Sequence, residues 1–200
     1  MEIKALRVGQ LQTNCYLLWN KENSECFIID PGDDADFITT EILNQKLKPK
    51  AILLTHGHFD HCLACLELKL NFNIPIYLDP KDNFLYQNSA KSANRWTTSG
   101  ALKQPATSPI PDDLKLGSEE IKVISTPGHT PGSVCFYSAP HLFTGDTLFE
   151  QGVGSTNHSY SSSADLKKSL DSLAKLPPDT IIYPGHEESA VPLNTRSSSS

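Results

Sequence analysis

The sequence predicts one α+β domain, and three observations carry that expectation. Short apolar runs bounded by turn residues recur along the chain, the pattern of buried strands. Longer segments between them place apolar residues at helical spacing. Five of the short runs stop at a Gly-containing turn that carries Asp or His. Two hundred residues fit one such domain and can bury a sizeable core.

Strands are expected first at residues 3–8, 14–19 and 26–29, the third ending sharply at Asp30-Pro31-Gly32. Residues 37–47 carry apolar side chains at 37, 38, 42, 43 and 47, the spacing of an amphipathic helix. A strand at 51–54 leads into a His-rich loop. Leu63, Leu66, Leu68 and Leu70 then lie in a stretch without Gly or Pro, read as a helix, and 74–78 reads as a short strand. Residues 88–113 turn rich in Ser, Ala, Thr and Pro, with Arg95-Trp96 the one bulky point. That segment is either a surface excursion or a loop that shapes substrate access. Strands follow at 121–124, 133–137 and 142–143. Leu166, Leu170, Leu173 and Leu176 mark a helix over 164–176 that Pro177-Pro178 ends. The last strand is expected at 180–183. The domain is expected to span 1–188, and 189–200, closing on four serines, to be a disordered tail.

Composition narrows the function classes. Apolar residues make up 38% and charged residues 20%, as in ordinary soluble globular proteins. The formal charge is −6, with three arginines and no basic cluster, so nucleic acid is not an expected partner. No apolar run approaches the roughly 18 residues that would cross a bilayer. The first residues lack the basic-then-apolar pattern of a signal peptide. An odd count of five cysteines without such a signal fits reduced thiols in a cytoplasm.

The chemistry concentrates in Thr55-His56-Gly57-His58-Phe59-Asp60-His61. Imidazole and carboxylate together suit zinc and other divalent first-row metals. Gly57 breaks any helix, so the groups sit on a tight loop leaving a strand end. A single histidine there would read as a surface or satisfied core residue; four potential ligands in a row read as a metal site. The other strand ends carry Asp30, His129 in Thr126-Pro127-Gly128-His129-Thr130, Asp146 in Thr144-Gly145-Asp146, and His186 in Pro184-Gly185-His186. Gly and Pro let the backbone turn sharply at each of them. If those ends gather along one edge of packed sheets, the side chains converge. His56, His58, Asp60, His61, His129, Asp146 and His186 exceed the four ligands of one zinc ion. They suit two ions roughly 3.5–4 Å apart, an arrangement of hydrolytic enzymes. Spacing leaves the partition between the two ions open.

Cys62-x-x-Cys65 could be a redox pair or half of a structural zinc site, but no second pair completes a tetrahedron. Cys15 and Cys135 lie in apolar runs and read as core. His141 and His158 belong to no motif, although His158 is close in sequence to the expected cleft. Gly-x-Ser-x-Gly is absent, so no serine nucleophile competes with the metal.

The His-rich loop with the three later motifs resembles the metallo-β-lactamase superfamily, in its single-domain glyoxalase II-like (hydroxyacylglutathione hydrolase-like) branch. The resemblance runs from about Val8 to Glu187. It implies a four-layer αββα sandwich, two mixed sheets with helices outside, and a binuclear metal site at one edge. It also implies one ion on His56, His58 and His129, the other on Asp60, His61 and His186, and Asp146 bridging. Asp30 would support the ligands from behind, since such partners fix imidazole orientation. The implied cofactors are two divalent ions per chain, zinc first, with iron or manganese as alternatives.

The expected activity is hydrolysis of a small acyl or thioester substrate by a metal-activated hydroxide. Asp60 or Asp146 would orient the hydroxide and move its proton. An alternative of the same fold is a persulfide dioxygenase with one iron on His56, His129 and Asp146. A non-catalytic metal-binding module is disfavoured because every ligand position is filled. Two departures from the branch bear on the substrate. Gly154-Ser155-Thr156-Asn157 stands where the branch carries Gly-Arg-x-Asp. A C-terminal helical region like the one that supplies glutathione-binding groups in glyoxalase II is also not expected within these 200 residues.

Overall fold

The structure, a computed structural model, describes residues 1–94, 103–187 and 190–193. Arg95 and Trp96 lie outside the described residues. The chain opens with β1 (Glu2–Val8), β2 (Thr13–Trp19) and β3 (Glu25–Ile29), joined as antiparallel neighbours. Helix α1 (Ala35–Asn44) crosses to β4 (Lys48–Leu53), and α2 (Cys65–Phe72) crosses to β5 (Ile76–Tyr77). Both crossovers return parallel, giving a mixed sheet of order β1-β2-β3-β4-β5. Short helices α3 (Asn83–Gln87) and α4 (Ser89–Ala93) follow, then a small hairpin of β6 (Lys115–Leu116) and β7 (Glu119–Glu120). The second sheet comprises β8 (Lys122–Ser125), β9 (Val134–Ser138), β10 (His141–Gly145), β11 (Ile181–Pro184) and β12 (Val191–Pro192), in the order β12-β11-β10-β9-β8. Helix α5 (Ser163–Leu173) links β10 to β11, which pair in parallel. The Ser162 hydroxyl caps its start by accepting from the Asp165 amide at 3.2 Å.

Three hydrophobic clusters show why the layers stack as expected. Strand β2 is apolar almost throughout because both its faces are covered. Cys15 and Leu17 point to one side, with Ile28, Ile52, Ile38, Ile42 and Leu68, between the first sheet and helices α1 and α2. Tyr16 and Leu18 point to the other, with Phe27, Ile29, Leu53, Phe136, Phe143 and Tyr183, between the two sheets. Cys135, Tyr137, Leu142 and Ile182 face outward from the second sheet onto Leu173 of α5. The result is the αββα sandwich. Each fully buried aliphatic or aromatic side chain contributes roughly 1.5–3 kcal/mol.

Differences from the expected elements have local causes. Helix α1 ends at Asn44, so Leu47 joins the core from the following turn, while Phe37 and Leu43 remain exposed. The stretch after Leu78 forms α3 and α4, which no long apolar pattern announces. Within 88–113, Ser108 bridges β5: its amide donates to the Ile76 carbonyl at 2.9 Å and its carbonyl accepts from the Leu78 amide at 3.1 Å. That part of the segment extends the first sheet. Beyond residue 188, Val191–Pro192 pairs antiparallel with β11, inside the stretch expected to be a tail. Cys62 and Cys65 are fully buried, and burial pushes both thiols up, as in inert core cysteines.

Candidate metal centre

Parallel pairing of β3 with β4 and of β10 with β11 brings their C-terminal ends to one edge of the sandwich. Backbone bonds stitch the two sheets there. The Asn14 amide donates to the Gly185 carbonyl at 2.7 Å, and the Val134 amide to the Thr55 carbonyl at 2.9 Å. The Tyr16 hydroxyl donates to the Pro184 carbonyl at 2.6 Å. The loop after β4 carries His56 and His58, and the short 3-10 turn Phe59–His61 adds Asp60 and His61. His129 arrives after β8, Asp146 after β10 and His186 after β11.

All seven groups meet, in two clusters. His58 Nδ1 lies 3.0 Å from both His56 Nε2 and His129 Nε2. Three nitrogens bound to one tetrahedral ion at about 2.05 Å would lie about 3.3 Å apart, so this spacing fits one ion. Asp60 Oδ2 lies 3.3 Å from His186 Nε2 and 3.7 Å from His61 Nε2. Asp146 sits between the clusters: Oδ2 is 3.6 Å from His129 Nε2, and Oδ1 is 3.3 Å from His61 Nε2 and 3.7 Å from His186 Nε2. Gly185 permits this approach, because a Cβ there would come within 2.4 Å of Asp146 Oδ1.

Every imidazole is held by its far nitrogen, and the partners dictate tautomers. Carbonyls of Ser155 and Leu11 accept from Nδ1 of His129 and His186, at 2.8 and 3.1 Å. Asp30 Oδ2 accepts from His61 Nδ1 at 3.0 Å. The Thr55 hydroxyl donates to the same Asp30 oxygen at 2.6 Å, so it must accept from His56 Nδ1 at 3.0 Å. Nε2 of His56, His129 and His186 therefore present lone pairs inward, and Nε2 of His61 points inward at the Asp146 carboxylate. His58 Nε2 meets the Tyr160 hydroxyl at 2.8 Å, leaving Nδ1 inward. Lone pairs facing one another and two carboxylates call for a cation. His61 Nε2 and Asp146 Oδ1 are buried without a hydrogen-bond partner, as donors awaiting an ion would be. The clusters fit a binuclear metal site.

Titration behaviour has the same origin. Burial and then the neighbouring imidazoles hold His56 well below the usual histidine range. Burial and the His129 imidazole lower His58 to about 3. Burial would also lower His61, but the carboxylates of Asp146, Asp60 and Asp30 outweigh it and raise it well above. Burial would raise Asp146, yet the imidazoles of His61, His56 and His186 hold it well below the carboxylate range. A depressed folded-state pKa means that stability present above the unfolded value is lost as pH falls. The metal-free protein is thus expected to lose stability below about pH 6.5 through His56 and His58, while His61 works in the opposite direction. Melting curves of metal-free wild type and His58→Asn from pH 7.5 to 4.5 check this: the variant's curve should be the flatter. A steeper loss in the variant would contradict it.

The structure brings together the seven groups and Asp30 that the sequence singled out, and it adds several holders that the sequence did not point to. Ser155 and Leu11 act through backbone carbonyls, which leave no side-chain signal. Tyr160 is the sole Tyr in the polar run after Asp146, a faint cue. The segment Gly154–Asn157 still serves the site without the Arg and Asp of the branch pattern, since the Ser155 carbonyl fixes His129.

The pattern of the Metallo-beta-lactamase superfamily matches residues 8–186. The chain belongs to that superfamily. Among its members, the hydroxyacylglutathione hydrolase GloC of Haemophilus influenzae is 34% identical over 93% of this chain and 91% of its own length. BLEG-1, a B3 metallo-beta-lactamase, superposes with a TM-score of 0.83 at 34% identity, covering 94% of this chain and 92% of that one. TTHA1623, solved in a di-iron-bound form, gives the same TM-score and identity over 94% of each chain. Among the described residues no helix is long and apolar enough to cross a membrane.

Proposed function

We propose that this protein is a hydrolase that holds two divalent ions, zinc foremost, and cleaves small acyl thioesters. The observation that carries the reading is Asp146, whose two oxygens lie against two separate donor clusters. We assign His56, His58 and His129 to one ion and Asp60, His61 and His186 to the other, with Asp146 shared. Bound ions of this kind supply Lewis acidity and a water acidified to near neutrality. The chain's own groups do the rest. Asp60 or Asp146 would orient that water and accept its proton. Hydrolysis forms the C–O bond from water and breaks the C–S bond, and the proton taken from water ends on the departing sulfur. No thiol of the chain competes as nucleophile, because all five cysteines are buried.

The surroundings favour an apolar substrate. Phe84, 46% exposed, packs edge-on against Tyr160 at 5.5 Å. His158 stacks on Tyr160 at 5.1 Å and lies 5.4 Å from the His58 ring. Phe149 flanks the other cluster, 6.3 Å from His186. These rings offer contact to an acyl chain or thiol rather than to a charged peptide. The hydroxyacylglutathione hydrolase name of a relative matched over 91% of its length supports thioester chemistry. The likeness to a B3 metallo-beta-lactamase favours a second reading, β-lactam hydrolysis.

The deciding measurement compares kcat/KM for a small acyl thioester, an acylglutathione and a cephalosporin at identical metal loading. The small thioester should lead and the acylglutathione should saturate weakly, because remote binding groups are what lower the barrier for a large substrate. Preference for the cephalosporin would replace this reading with the second one. Tight saturation by the acylglutathione would place peptide-binding groups elsewhere in the chain, with residues 88–113 the first to examine.

A further inference from the structure

Asp82 ends the 3-10 turn Pro80–Asp82 and is fully buried. It belongs to neither donor cluster, yet its carboxylate joins the two loops that carry the three-histidine site. Oδ2 accepts from the Gly57 amide at 2.9 Å, between His56 and His58. The same oxygen accepts from the Thr130 hydroxyl at 2.6 Å, one residue after His129. Oδ1 accepts from the Gly132 amide at 2.7 Å. Thr130 is fixed in turn by Ser133, whose hydroxyl accepts from the Thr130 amide at 3.1 Å.

The packing around this carboxylate is as close as a chain allows. A Cβ on Gly57 would lie 2.6 Å from the Asp82 carbonyl oxygen, and a Cβ on Gly132 would lie 2.7 Å from Asp82 Oδ1. Only glycine lets both loops reach it. A buried carboxylate is costly unless its oxygens are satisfied, and three donors from two loops satisfy this one. Asp30 plays a broader part. It holds His61 directly and His56 through Thr55, so it touches both clusters. The hydrogen bonds of Asp82 reach only the loops of His56, His58 and His129.

We propose that Asp82 is a positioning residue that clamps the His56–His58 loop to the His129 loop and thereby sets metal affinity at the three-histidine site alone. The inference rests on the assignment of ions given above. His58 Nδ1 lies 3.0 Å from nitrogens on both loops, and one ion can meet all three only while that triangle stays closed. A shift of the His129 loop against the other opens that triangle, and none of Asp60, His61 and His186 lies on the His129 loop.

The test is stepwise zinc binding by wild type, Asp82→Asn and Asp30→Asn, read by chelator competition and elemental analysis. In Asp82→Asn one of the two acceptor oxygens becomes an NH2 group, which cannot accept from the donors it faces. One of the two binding steps should weaken on the order of 10–100-fold, as for other groups that orient ligands. The ion retained should be released when His186→Ala is added. Asp30→Asn should weaken both steps. Equal weakening of both steps in Asp82→Asn, in parallel with a lower melting temperature, would mean a merely structural role and overturn the proposal. So would two unchanged steps. Thr130→Val, which removes one of the three bonds, carries the test if Asp82→Asn does not fold: it should weaken the same single step by less, and no change would count against the clamp. A wild type that binds fewer than two ions would instead sink the two-ion assignment and this inference with it.

Discussion

Asp146→Ala is expected to reduce kcat/KM on the order of 10³-fold and to drop the metal content below two per chain. Asp146 is the carboxylate that lies against His129 on one side and His61 and His186 on the other. Its loss would remove an anion shared by both ions and take away the carboxylate oxygen 3.3 Å from the buried His61 Nε2. Metal-centred stabilisation of transition-state charge is worth several kcal/mol, and about 4 kcal/mol corresponds to that factor. His186→Ala should cost less, because His186 lies against Asp146 and the Asp60 cluster but not the three-histidine cluster, and is the more exposed group. Thioester turnover and elemental analysis of both variants at matched zinc concentration check the order. An Asp146→Ala protein that kept both ions and full turnover would remove Asp146 from its shared position.

How much of this could be read beforehand depends on where the information sits. The groups that gather at the candidate site are side chains in short motifs at strand ends, so His56, His58, Asp60, His61, His129, Asp146 and His186 were all legible. Their convergence followed from topology. Five strands stopping at Gly-bearing turns reach a common point only if the ends share an edge, which the parallel pairs β3/β4 and β10/β11 provide. Strands β2, β3 and β9 were legible because burial on both faces makes them continuously apolar. The hairpin β6/β7 was not: two residues per strand, with Glu119 and Glu120 exposed, give no periodicity. Helices α3 and α4 are too short for a repeating pattern. Asp82 was invisible for a different reason. Its partners are backbone amides and a hydroxyl 25 to 50 residues away, and nothing near it in sequence announces them.

Metal removal should be the largest single perturbation of stability as well as activity. An ion that binds the folded chain at 1,000 times its dissociation constant adds about 4 kcal/mol. In a domain of this size each kcal/mol moves the melting temperature by about 2–4 °C, so stripping one site should lower it by about 8–16 °C. Stripping both should lower it further and abolish hydrolysis. The physical source is the inward set of lone pairs on His56, His129 and His186, which repel one another and the carboxylates until a cation arrives. Calorimetry before and after dialysis against a chelator measures the shift, and re-addition of zinc should restore both properties. Elemental analysis of protein purified without added metal then separates the readings of the site. The count discriminates better than the element, since a relative with this fold is solved with two irons. Close to two ions per chain, whichever element, supports the binuclear hydrolase. A reproducible single iron, with Asp60, His61 and His186 replaceable at no loss of iron, would end that reading in favour of a dioxygenase on His56, His129 and Asp146.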